Sequence, residues 1–192
     1  MNDYINASKI WPMCPDPGLS VVRVKNGVAN ITNRKVLIRM SVPQGTPNGL
    51  YNIGMYGELK QIVHNNVWDY PDVDLLEPDF NALKTPCHLL PQVREHLIMF
   101  CRNAFAHGCN IVIERDRVTA QHLEGLYLHP FNLNNSITIN ARYLEIVLVT
   151  FKAHHVLYLA RENKENSPLI VGIDWGTSAL IMPERRGYGS NV

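Results

Sequence analysis

The chain has 192 residues, room for one large domain or two small ones, and its 46% apolar and 18% charged residues suit a folded protein with a sizeable core. Lys and Arg number 18 against 17 Asp and Glu, a formal charge of +1, so no strong field drives the protein onto nucleic acid or a membrane surface. The apolar run around 146–150 is far short of the roughly 18 residues of a membrane span, and residues 1–19, with Asp3, Pro12, Pro15 and Pro17, lack the apolar stretch of a secretory leader, so a cytoplasmic protein with no membrane partner is expected.

Residues 1–19 read as an irregular, proline-rich lead-in. From Leu19 the pattern turns to β: SVVRV, then Lys25-Asn26-Gly27, then VANIT. Asn-Gly between two apolar runs is the strongest short signal of a hairpin. A third strand is predicted over 34–42, ended by Pro43, and a fourth over 50–53 after the turn at Pro47-Asn48-Gly49. Residues 55–64 read as a short helix with Met55, Leu59, Ile62 and Val63 on one side. Residues 65–88 carry acidic residues and prolines without a period, as a connector would.

The second half repeats this grammar more fully. A helix is predicted over 89–104, with Leu90, Val93, Leu97, Cys101 and Ala104 buried and Gly108 just past its end as a stop. Strands follow over 110–114 and 117–128, the longer one bending near Gly125, and then over 136–140. A second helix runs from 141 to about 152 with Leu144, Val147, Leu148 and Phe151 as its core stripe. Strands over 156–161, 169–174 and 178–182 precede Pro183 and a polar tail, 187–192. With too few helices for parallel crossovers, the pattern predicts an α+β fold of antiparallel sheets carrying helices on one face. The natural division is a shortened first domain, 1–80, a connector over 65–88, and a second domain, 81–192. The segments GLYNIGMYGELKQIV and SITINARYLEIVLV form a weak internal repeat.

Little in the residues points to catalysis. Cys14, Cys87, Cys101 and Cys109 are irregularly spaced, which suits reduced thiols better than a disulfide framework or a structural zinc site. No phosphate-binding glycine loop, nucleophile elbow or zinc-protease motif occurs. Asp72 and Asp74 read as a solvated acidic loop, His154-His155 as a helix-to-strand junction, and Asp174-Trp175-Gly176 as a turn. No enzyme activity, cofactor or metal is expected.

Three segments, SITINARYLEIVL, VLYLARENKENSPLIVGID and SALIMPERR, resemble in this order the last domain of bacterial DNA polymerase sliding clamps (β subunits), and WDYPDVDLLEP is similar to the segment joining the clamps' middle and last domains. The resemblance is strongest over 69–186, and residues 20–64 look like part of a preceding clamp domain. Departures from the family pattern include Val73 in place of a tyrosine, Asp74 and Leu75 in place of basic residues, and a longer tail after Pro183. The chain thus reads as a reduced, divergent clamp of phage or prophage type. The resemblance implies a processivity factor without catalysis that encircles duplex DNA irrespective of sequence and tethers a DNA polymerase or other protein bearing a clamp-binding motif. Clamp rings hold six similar domains, so two per chain imply a homotrimer first and a homodimer second. Lys60, Arg102, Arg142 and Lys152 would face the DNA. Pro71, Leu75 and Leu76 on one side, and Met182 and Pro183 on the other, would line the groove for a partner peptide.

By charge alone the two helix faces, Gln92, Glu95, Met99 and Arg102 on one and Arg142, Glu145, Val149 and Lys152 on the other, are mixed, as ordinary solvated faces are. Two alternatives therefore stand beside the clamp reading. One is a clamp-fold interaction protein that never closes a ring and modulates a replisome; the other is a small α+β enzyme whose site the sequence hides.

Overall fold

The computed structural model describes residues 3–13, 16, 19–63, 70–71, 73–76, 87–114, 116–128, 136–154, 157–160, 167–173 and 176–184. The lead-in is not irregular throughout: Asp3–Ser8 forms a short helix, α1, and Trp11–Met13 a 3-10 turn. Ala7 and Ile10 are fully buried in the main core. Asn33, itself fully buried, donates from Nδ2 to the Ile10 carbonyl at 2.9 Å and to the Tyr143 hydroxyl at 3.3 Å, which ties this segment to both halves of the chain.

Five strands follow: β1 (Val22–Lys25), β2 (Val28–Thr32), β3 (Val36–Ser41), β4 (Gly49–Ile53) and β5 (Leu59–Gln61). Asn26 and Gly27, at φ of 51° and 77°, make the tight β1–β2 turn that the Asn-Gly signal predicts. The predicted helix over 55–64 does not form. Strand β5 pairs antiparallel with β4, Ile53 opposite Leu59 and Tyr51 opposite Gln61, across a loop closed by the Gly57 N–H on the Gly54 carbonyl at 2.8 Å. A helix there would carry Gly57 in its interior and bury Met55 and Val63, whereas the hairpin leaves them 82% and 85% exposed.

After a short 3-10 turn at Val73–Leu76, the elements among the described residues form two copies of one unit, a strand, a helix and three strands. The first is β6 (Cys87–Leu89), α2 (Pro91–Ala106), β7 (Asn110–Ile113), β8 (Arg117–Ala120) and β9 (Leu123–Tyr127). The second is β10 (Ile137–Asn140), α3 (Ala141–Thr150), β11 (Leu157–Ala160), β12 (Leu169–Gly172) and β13 (Ser178–Ile181). The units exchange their opening strands: β6 pairs with β11 of the second unit, and β10 with β7 of the first. The true internal repeat therefore lies within 87–181, not between 50–64 and 137–152 as the sequence suggests. The predicted bend near Gly125 falls instead at Gln121-His122, where His122 takes φ 63° and the strand divides into β8 and β9.

Among the described residues the strands form two antiparallel sheets. One holds nine strands in the order β5-β4-β1-β2-β3-β13-β12-β11-β6, joined across the two halves by β3 and β13, with Ile38 opposite Ala179 and Leu37 opposite Leu180. The other holds four, β10-β7-β8-β9. A single large core unites their inner faces with the helices, including Ile31, Ile38, Leu97, Cys101, Ile111, Ile139, Leu144, Phe151 and Ile181. Helix α2 opens on Pro91 at its first position, where the missing N–H costs nothing. It ends as its glycine predicts: Gly108, at φ 68°, donates to the Phe105 carbonyl, and the Cys109 N–H to that of Ala104, both at 2.9 Å. Cys101 lies in the core, and burial pushes its thiol pKa up, so it acts as a small hydrophobe. No helix among the described residues is long and apolar enough to cross a membrane.

Candidate nucleic-acid interface and partner groove

Helices α2 and α3 pack side by side and antiparallel. The start of α2 meets the end of α3, since Glu95 binds the Lys152 ammonium at 3.0 Å. The end of α2 meets the start of α3, since the Arg142 guanidinium lies over the Phe105 ring at 5.5 Å. Between these contacts Glu145, its side chain only 7% exposed, accepts from Arg102 Nε at 2.9 Å and from Arg142 Nη1. Glu145 is thus a buried counter-charge and not the solvated residue that its position in the predicted stripe suggests. A buried carboxylate persists only with such partners. Asn140 fixes where α3 begins, its Oδ1 accepting from the Arg142 N–H at 2.9 Å, which gives the Asn-Ala-Arg motif a physical role.

The seam therefore gathers three of the four predicted DNA-facing cations, Arg102, Arg142 and Lys152, and sets two carboxylates among them. Arg102 and Lys152 keep about half of their side-chain surface in solvent, at 52% and 47%. Lys60 stands apart. It lies on strand β5 and not on a helix, at one end of the nine-stranded sheet, paired with Glu58 at 3.0 Å.

One charged residue of the helix pair escapes the sequence pattern. Arg94, 3% exposed, turns inward and donates from Nη1 to the His154 carbonyl at 2.7 Å and from Nη2 to the Lys152 carbonyl at 2.9 Å. The predicted stripe assigns this side of α2 to Leu90 and Val93, but Leu90 is 55% exposed. Arg94 fits as a cation at the C-terminus of α3, where carbonyls lack internal partners.

The predicted groove lies on the other side of the nine-stranded sheet. There Val73 is buried to 1% against Leu37, Ile170 and Leu180, with Tyr70 packed alongside. The Tyr70 hydroxyl donates to the Asn30 carbonyl at 2.8 Å, and burial pushes its pKa up. Arg23 reaches the Pro71 carbonyl at 3.4 Å and lies over the Tyr70 ring. Pro71, Met182 and Pro183 are half-buried and Leu76 is 48% exposed, while the Leu75 side chain lies outside the described residues. The Met182 N–H donates to the Lys35 carbonyl at 2.8 Å, which holds this end of the chain beside β3. Val73 of the connector and Leu180 of β13 thus share one face, and the sequence reading does not single out Tyr70 and Val73 as the residues that seat the connector. Asp72, His155, Asp174, Trp175, the tail 187–192 and most of the connector also lie outside the described residues. A cavity of about 400 Å³ between α1, β3 and the end of α3 is lined by none of the predicted site residues.

Solved structures match this arrangement along almost the whole chain. A DNA polymerase III β subunit of Thermotoga maritima matches with a TM-score of 0.59 at 9% identity, over 97% of this chain and 65% of its own. The fold is that of a bacterial sliding clamp. A β-subunit structure from Eubacterium rectale gives a TM-score of 0.63 at 9% identity, covering 97% of this chain and 64% of that one. The Helicobacter pylori clamp bound to a DNA ligase peptide gives 0.55 at 12% identity, covering 94% and 62%. The chain spans less than two thirds of the length of each of these clamps. No protein-family model and no curated protein sequence matches it. The clamp fold confirms the α+β class, and at such low identity the sequence is far diverged from these structures.

Proposed function

We propose that the chain is a sliding-clamp subunit: a non-catalytic, homo-oligomeric ring that encircles duplex DNA and tethers a DNA polymerase or another protein carrying a clamp-binding peptide. The observation that carries this reading is the antiparallel pair of α2 and α3, which sets Arg102, Arg142 and Lys152 along one seam of a clamp fold. Net charge there is small, which suits a ring that holds DNA by enclosure and needs to slide. On this reading residues 81–192 supply the paired units of a full domain, and residues 1–80, whose five strands extend one sheet of that domain, a shortened one.

The sheet edges support closure between copies. Strand β13 ends the second unit and meets β3, but its counterpart β9 ends the first unit as an edge strand among the described residues. We assign β9 to pair head-to-tail with β5 of the next copy, giving a homotrimer, with a homodimer as the second choice. Large exposed apolar residues sit at both edges, Tyr127 on β9 at 66% and Tyr56 and Val63 beside β5 at 81% and 85%. Light scattering at tens of micromolar is expected to show the trimer; a monomer would sink the closed ring. A monomer would favour the second reading, a clamp-fold interaction protein without a ring.

For the groove, Met182→Ala is expected to weaken binding of a clamp-binding peptide by about 1–3 kcal/mol, a typical loss for an apolar anchor. Titration calorimetry with melting curves checks this. A drop in stability with unchanged peptide affinity would place Met182 in the domain junction, with Val73.

A further inference from the structure

Glu145 is a buried carboxylate at the centre of the seam, an unexpected group to find on a face that meets phosphate. It touches two arginines from two helices, Arg102 of α2 and Arg142 of α3. Only one nitrogen of each guanidinium contacts it, Nε of Arg102 and Nη1 of Arg142. A guanidinium carries five N–H donors in a fixed fork, so each arginine keeps donors for a second acceptor. Arg142 is further steadied by the Phe105 ring, and half of the Arg102 side chain stays in solvent. An arginine without such anchors would sample many rotamers and lose that freedom on meeting DNA.

We propose that Glu145 is a positioning residue for DNA: it presents Arg102 and Arg142 to the phosphates in fixed orientations while its charge limits how tightly they hold. This role rests on the clamp reading. Its consequence is opposite for two changes at the same site. Glu145→Gln removes the charge and keeps one of the two acceptor oxygens in use, so one arginine stays anchored, the other is released by the facing amide NH2, and the hold of the pair on phosphate strengthens. Removing the side chain, as Glu145→Ala does, frees both arginines and loosens the helix pair.

The test is fluorescence anisotropy of the full chain on a random-sequence duplex of about 40 base pairs, titrated between about 20 and 200 mM salt, a range in which phosphate contacts control affinity. Glu145→Gln is expected to bind several-fold more tightly than wild type, with a salt slope steeper by about 0.9 for each additional phosphate neutralised. Glu95→Gln makes the same charge change at an exposed pair on the same seam, and its effect is expected to be smaller. Equal tightening by the two variants, or none by Glu145→Gln, would overturn the proposal. Should Glu145→Gln fail to fold, Arg102→Met decides: a slope shallower by about 0.9 supports presentation to phosphate, and an unchanged slope shows that Glu145 simply consumes the arginine. If wild type binds without salt dependence and Arg102→Met and Lys152→Met change nothing, the clamp reading itself fails. Salt-dependent wild-type binding with an inert Glu145 removes only the positioning role.

Discussion

Arg94→Leu is expected to lower the stability of the fold by about 2–4 kcal/mol. The variant forfeits two charge-assisted hydrogen bonds, each worth about 1.5–3 kcal/mol, and part of that loss is returned because no guanidinium need be desolvated. The acceptors are the Lys152 and His154 carbonyls, so the damage centres on the end of α3. For a chain of this size the change corresponds to roughly 4–16 °C in Tm. Urea unfolding followed by circular dichroism measures it, with Arg94→Lys as a partner variant that keeps the charge but lacks the fork to span both carbonyls. A leucine variant as stable as wild type would show that the end of α3 is held by packing alone.

The largest functional effect is expected from inverting the seam. Arg102→Glu and Lys152→Glu reverse two charges, and Arg142→Gln and Glu145→Gln avoid leaving a buried carboxylate without a cation, which would cost about 3–5 kcal/mol. Loading onto nicked circular duplex is expected to fall about tenfold or more, the scale on which a charged cleft alters association. Oligomer size should not change, since the proposed contacts between copies lie at β5 and β9. Gel filtration of crosslinked complexes checks loading, and light scattering checks size. Undiminished loading would remove α2 and α3 from the DNA path, whereas a monomeric variant would show that the seam supports assembly.

What the sequence revealed depended on how local each signal was. The Asn26-Gly27 turn, the Gly108 stop and the Asn140 cap each settle the conformation of a few neighbouring residues, so the residue type suffices. Residues 55–64 misled because Met55, Leu59, Ile62 and Val63 match a helical period, while pairing of β5 with β4 depends on a neighbour in the sheet. Arg94 was hidden for a related reason. A charged residue on a helix is ordinarily assigned to solvent, and only the chain end of α3 gives this one a reason to turn inward. Arg102, Arg142 and Lys152 lie on helix faces that periodicity locates, though only the resemblance gave them a role, and Glu145 as the shared partner of Arg102 and Arg142 required two helices, 43 residues apart at the Arg102 contact, to be set side by side.

The exchange of β6 and β10 between the two units bears on how the chain acquires its structure. Strand β6 finds its place only when β11 has been made, so its first hydrogen bonds close a loop that contains the rest of the first unit and α3. Closing such a loop costs chain entropy before any contact offsets it, and folding dominated by distant pairings is slow. Neither unit can complete a sheet by itself. A nascent chain stopped after β9 lacks the strands that β6 and β7 pair with in the second unit, and exposes edges that invite pairing with other chains. Cooperative folding of the second half is therefore expected, and a cut between β9 and β10 should yield fragments that regain structure only when mixed.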